Sequence, residues 1–212
     1  ERTGGGHGLD HTLRVTGLSR RIGEEEGADM EILIPAAMLH DITRHSEEET
    51  GIPHEIGGAR FAEALLPSLS YAEDRIAGIT HAIRAHRFSG SEVPATPEAR
   101  ILSDADKLDA MGAIGIARTC MTAGENKRDI HDIITHIREK LLILPDRMYT
   151  PHARAIAEKR RDFIEEFVTA LILEEKEGTG DQHPDQGVSG ETSTIITASP
   201  SSSLDPDAQI PQ

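Results

Sequence analysis

The residues best suited to chemistry are an adjacent pair, His40 and Asp41, inside the apolar string Ala36-Ala37-Met38-Leu39-His40-Asp41-Ile42. An imidazole and a carboxylate in such a setting cost desolvation free energy unless a partner or an ion compensates. Taken alone, the pair reads as a buried histidine satisfied by a neighbouring helix, with Asp41 on the solvated side. Two further groups change the balance. Asp10-His11 lies near the start of the chain, and Ser103-Asp104-Ala105-Asp106-Lys107-Leu108-Asp109 supplies three carboxylates further on. Antiparallel helices can bring one histidine, the His-Asp pair and one of these aspartates to a common point. Mixed imidazole and carboxylate ligands with open positions suit a hydrolytic divalent metal such as Mn, Fe, Co, Ni or Zn. Residues 40 and 41 sit about 100° apart around a helix, so both can reach one ion from its flank.

The elements that must position these groups read as helix after helix. Period-two alternation is scarce, aromatics make up 3 % of the chain, and Ala, Leu, Ile, Glu and Arg dominate. Thr96-Pro97 and Thr150-Pro151 each place a capping hydroxyl before a proline at the first helical position. Gly27, Gly51, Gly90 and Gly124 fall where helices should stop. The expectation is an all-α bundle of about seven helices, at 9–26, 30–44, 54–66, 71–87, 97–123, 128–144 and 151–176. The last of them, with Lys159-Arg160-Arg161 ahead of Phe163, Ile164, Phe167, Val168 and Leu171, reads as an amphipathic helix on the core. Residues 7–177 form the expected domain. Residues 178–212 have no Lys, Arg or aromatic and many Gly, Ser, Pro and Asp, which reads as a disordered tail.

Composition narrows the partners. With 22 Lys+Arg against 37 Asp+Glu the net charge is −15, a poor basis for gripping a nucleic-acid backbone. An anionic ligand must then be received locally, by a metal or by a few placed arginines. The single cysteine, Cys120, excludes an intramolecular disulfide and lies in an apolar helical stretch, where it reads as a small core residue. No apolar run approaches the roughly 20 residues of a membrane span. The expected setting is cytoplasmic, with no membrane and no nucleic-acid polymer as partner, and with a homo-oligomer left open. The P-loop pattern is absent.

The phrases His11-Thr12-Leu13-Arg14-Val15, Leu39-His40-Asp41-Ile42 and Asp104-Ala105-Asp106-Lys107-Leu108-Asp109-Ala110-Met111-Gly112-Ala113-Ile114-Gly115-Ile116-Ala117-Arg118 together resemble the HD superfamily of metal-dependent phosphohydrolases. The resemblance covers about residues 7–175. It implies an all-α fold and a divalent cation (Mn, Fe, Co, Ni, Zn or Mg) held by His11, His40, Asp41 and Asp106, with His40 and Asp41 as the catalytic pair. Asp106 is preferred to Asp104 because Asp106-Lys107-Leu108 matches the family's Asp-Arg-Leu phrase; position alone leaves the two open. The segments at His54 and His86 are similar to members with two metals, which makes both candidates for a second ion or for the substrate phosphate. His81 is roughly 140° from His86 around a helix and does not share its face.

Arg14, three residues after His11, and Arg44, three after Asp41, share faces with the proposed ligands and are candidate phosphate clamps. Asp109 is open between a partner of the ligands and a surface carboxylate. Some HD nucleotidases carry a catalytic Glu three residues after the His-Asp pair. Here that place is Arg44, which speaks against a nucleoside monophosphatase. The resemblance implies hydrolysis of a phosphate ester or anhydride in a small nucleotide, with nucleoside triphosphate pyrophosphohydrolysis favoured. The alternatives are a catalytically silent metal- and nucleotide-binding sensor, or a two-metal hydrolase of cyclic nucleotides or dinucleoside polyphosphates.

Overall fold

The computed structural model describes residues 8–179. Most of the segment expected as a tail therefore lies outside the described residues, as do His7 and His183. Among the described residues there is no strand, and the architecture is all-α. In chain order the helices are α1 (Leu9–Glu26), α2 (Met30–Leu39), the short α3 (Glu47–Thr50), α4 (His54–Leu65), α5 (Glu73–Ala85), α6 (Pro97–Asp109), α7 (Gly112–Glu125), α8 (Ile130–His136) and α9 (Pro151–Thr179).

Helices α1, α2, α5 and α6 pack around one core, with α4 laid on α5 and α9 across α6 and α7. Val15, Ile22, Leu33, Ile79, Ile83, Ile101 and Leu102 are fully buried there, each worth roughly 1.5–3 kcal/mol of transfer free energy. Close approach is needed where α4 meets the end of α2. A Cβ at Gly58 would lie 3.2 Å from the carbonyls of both Leu39 and His40.

Several starts and stops agree with the sequence. Thr96 caps α6 by accepting from Ala99 N–H, and Ala153 N–H donates to the Thr150 hydroxyl at the start of α9. Gly27 and Gly51 end their helices with φ of 71° and 67°. Three of the expected helices, and the placing of Cys120, need correction. The helix expected at 30–44 stops at Leu39, so His40 and Asp41 lie in the turn just beyond it. The helix expected at 97–123 breaks after Asp109 into α6 and α7, with Met111 extended and Gly112 at φ 68°. A π-turn at Ile137–Leu141 interrupts what was expected as one helix from 128 to 144. Cys120 is exposed, not a core residue. The residues that helix α7 buries are the stripe of Gly112, Gly115, Ile116 and Ala123.

Asp104 explains how α6 is anchored. Its fully buried carboxylate accepts from the Tyr149 and Thr150 N–H groups, the Thr150 hydroxyl and the Lys107 ammonium, tying α6 to the start of α9. Asp104→Ala strands these donors, and breaking a buried ionic cluster of this kind costs about 3–5 kcal/mol. A urea melt of the variant should show that loss. A stability close to wild type would mean that water takes over the carboxylate's place.

Candidate metal centre

Six side chains from five segments converge at the middle of the bundle. Nε2 of His11 on α1 lies 3.3 Å from Nε2 of His40, 3.5 Å from Asp41 Oδ2 and 3.4 Å from Asp106 Oδ1. On its other side Asp41 turns Oδ1 toward His54 Nε2 at 3.3 Å and His86 Nε2 at 3.8 Å. One carboxylate thus stands between two groups of imidazoles. His11, His40, His54 and His86 are buried and Asp41 nearly so, whereas Asp106 keeps 27 % of its side-chain surface exposed. The cluster opens to solvent past Asp106. Ligand atoms of His11, His40 and Asp106 all lie within 4.8 Å of one another, and so do those of His40, Asp41 and His86.

The rings are held by their other nitrogens. Nδ1 of His40 is 2.7 Å from the Ala37 carbonyl, and Nδ1 of His86 is 2.6 Å from the Ile83 carbonyl. A carbonyl can only accept, so Nδ1 is the protonated nitrogen in both rings and Nε2 carries a lone pair when the ring is neutral. Burial favours that neutral form. It lowers the pKa of His40 and, with the His40 charge nearby, pushes His86 down to about 4. His54 donates from Nδ1 to Glu47 Oε2 at 2.7 Å. For His11 burial opposes charge, but hydrogen bonds to Asp109 and Asp41 and the charges of Asp106 and Asp109 outweigh it and raise its pKa to about 9. The neutral Nε2 lone pairs of His40 and His86, beside the carboxylates of Asp41 and Asp106, could hold a divalent cation, which would displace the proton that His11 otherwise keeps. Locking of each ring through its other nitrogen is the usual support of a histidine ligand.

Residues 8–111 match the HD domain model. The uncharacterized protein YpgQ of Bacillus subtilis is 32 % identical over 174 residues, covering 78 % of this chain and 83 % of that one. The chain belongs to the HD domain family. The structure of YpgQ in complex with ADP superposes with a TM-score of 0.67 at 31 % identity, covering 80 % of this chain and 90 % of that one. A predicted HD superfamily hydrolase from an uncultured Thermotogales bacterium gives a TM-score of 0.62 at 34 % identity, covering 79 % and 81 %. Ribonuclease Y of Chloroflexus aurantiacus is 36 % identical over 100 residues, which is 47 % of this chain and 18 % of that enzyme.

Within this HD domain the remaining candidates take distinct places. Asp106 reaches the cluster, while Asp104 points away from it to the start of α9. Asp109 is a buried partner of the cluster. It accepts from His11 Nδ1 at 2.7 Å, from Arg14 through both Nε and Nη2, and from Arg118 Nη1 at 2.8 Å. Burial works against its charge, but His11 and Arg14 hold the carboxyl well below the usual carboxylate range. Arg14 is therefore engaged behind His11. Arg44 instead enters the cluster, with Nη1 3.0 Å from His54 Nε2 and 3.6 Å from Asp41 Oδ1. His81 lies apart, between Glu92 and the Ala95 N–H.

Residues that the sequence reading did not single out complete the surround. Glu47 and Glu55 flank His54, and Arg87 bridges both carboxylates at 3.1 Å. Glu47 opens the run Glu47-Glu48-Glu49, which in sequence resembles any solvated acidic stretch. Among the described residues no helix is long and apolar enough to cross a membrane.

Proposed function

We propose that this HD domain is a metal-dependent phosphohydrolase that cleaves a phosphate ester or anhydride of a small nucleotide, with a nucleoside triphosphate as the favoured substrate. The observation that carries the reading is the convergence of His11, His40, Asp41 and Asp106 at one acceptor-rich point beside an opening to solvent. The ADP bound to YpgQ supports a nucleotide as ligand. A divalent cation held by these four residues would supply Lewis acidity, acidifying water and polarising a phosphoryl oxygen.

The chain's own groups then have separable tasks. His40 presents a neutral Nε2 because its Nδ1 proton is committed to the Ala37 carbonyl. Asp41 balances positive charge on both of its sides, from His11 at Oδ2 and from Arg44 at Oδ1. Arg44 is partly exposed and sits over Asp41 and His54, where its fork can bind phosphate oxygens arriving from solvent. It also occupies the lone pair of His54 that a second cation would need. We therefore favour one cation with Arg44 beside it over a two-metal centre.

Incubation of nucleoside mono-, di- and triphosphates, cyclic nucleotides and dinucleoside polyphosphates with Mn, Mg, Co or Ni tests the reading. The expected result is release of pyrophosphate from a triphosphate. Nucleotide binding with no product under any metal would favour the silent sensor. Arg44→Ala should raise KM by about tenfold, the worth of a charge-assisted contact to phosphate, and leave metal content unchanged. A fall in kcat alone would remove Arg44 from substrate binding.

A further inference from the structure

A cavity of about 450 Å³ lies between the start of α7 and the flanks of α1 and α9, lined by none of the residues of the metal centre. Its wall brings Arg21 from α1 together with Lys159 and Arg160 from α9, and no carboxylate lines it. In a chain of net charge −15 three cations around one hollow without an acid is an uneven distribution of charge. Among the described residues neither Arg21 nor Lys159 stands in an ion pair. The Arg160 guanidinium bonds to the Leu108 carbonyl, and its pKa is lowered by burial, against the charge of Asp109 behind the wall and together with the like charge of Arg21. Gly112, at φ 68°, allows this packing, because a Cβ there would lie 3.2 Å from Arg160 Cγ.

The rest of the wall is apolar. Ile114 and Phe163 line the cavity with 44 % and 46 % of their surface exposed, beside Ile156. Like-charged groups gathered at an apolar hollow are stabilised by a bound anion, and guanidinium forks match phosphate oxygens. The aromatic and aliphatic surface suits the body of the same ligand. Ligand pockets of roughly 300–1,000 Å³ typically combine an apolar lining with a few placed polar groups. We propose that this cavity is a second ligand site, separate from the metal centre, which binds a small organic phosphate by its phosphate at Arg21, Lys159 and Arg160 and by its apolar body against Phe163 and Ile114.

The site does not depend on the hydrolase reading, and its test excludes that chemistry by working in excess EDTA. Phenyl phosphate, adenosine monophosphate and inorganic phosphate are titrated calorimetrically into the full chain. Saturable binding of phenyl phosphate, tighter than that of inorganic phosphate, is expected. The double variant Arg21→Ala/Lys159→Ala should weaken it by about tenfold or more, as loss of charge-assisted contacts implies. Arg44→Ala, at the metal centre, should leave it unchanged. Adenosine monophosphate binding more tightly than phenyl phosphate identifies a nucleotide site, and equal affinities identify a general organic phosphate site. Phe163→Ser should erase the preference for phenyl phosphate over inorganic phosphate. No saturable binding of either organic phosphate at millimolar concentration, or equal affinity in the wild type and the double variant, would overturn the proposal. Far-ultraviolet circular dichroism confirms that the variants keep their helices.

Discussion

Asp41→Asn should cost about a thousandfold or more in turnover, the scale seen when a centre of electrostatic stabilisation is removed. The helical fold should survive. Among the described residues Asp41 is the one carboxylate that faces both groups of imidazoles, through Oδ2 to His11 and through Oδ1 to His54 and His86. Asn keeps the shape but removes the charge, and it presents an NH₂ group to imidazole nitrogens that should offer lone pairs to a cation. The metal content of the purified variant should fall with its activity. Its helicity should not, because the backbone of the turn at residues 40–43 is unchanged. Wild-type turnover with a full metal complement would mean that the proposed centre is not where hydrolysis occurs.

Asp109→Asn should lower metal affinity by about 10–100-fold, the range typical for losing the carboxylate behind a histidine ligand. The wild-type carboxylate fixes His11 through Nδ1 and neutralises Arg14 and Arg118 at the same time. The variant leaves two guanidinium groups facing a neutral amide beside a buried imidazole. That positive surplus repels a cation at Nε2 of His11, so the loss should appear in a direct metal titration as well as in kcat. The melting temperature should fall too, since Asp109 joins α1, α6 and α7. Asp109→Glu, which keeps the charge, should recover part of the affinity. If Asp109→Asn binds metal like the wild type, packing alone holds His11 in place.

The all-α architecture was legible because helix caps and apolar periodicity are local signals. Thr96 and Thr150 cap the helices that their sequence announces. The break between α6 and α7 was harder. Nothing in Asp109-Ala110-Met111-Gly112 forbids a helix, and it is Gly112 at positive φ, with Met111 buried beneath it, that turns the chain. His11, His40, Asp41 and Asp106 could be nominated from order and phrasing, and the structure gathers them. Position along a helix could not say that Asp104 anchors α9 while Asp106 reaches His11. The assembly of Glu47, Glu55 and Arg87 around His54 was invisible for a different reason. It joins residues from three segments, and each of them alone looks like an ordinary charged side chain.

His40 and His86 each stand at the residue that terminates a helix, α2 and α5, and each returns its Nδ1 proton to a carbonyl of the last turn. Those carbonyls belong to the set that a helix end otherwise leaves without an intrahelical donor. The two rings are therefore clasps as well as prospective ligands. Fraying of either helix end releases a ring, and by thermodynamic reciprocity whatever grips the ring from its far side must oppose the fraying. Cation loading would then be felt along the backbone as slower amide hydrogen exchange in the closing turns of α2 and α5. The bundle's local breathing and the occupancy of its centre become two measures of one equilibrium.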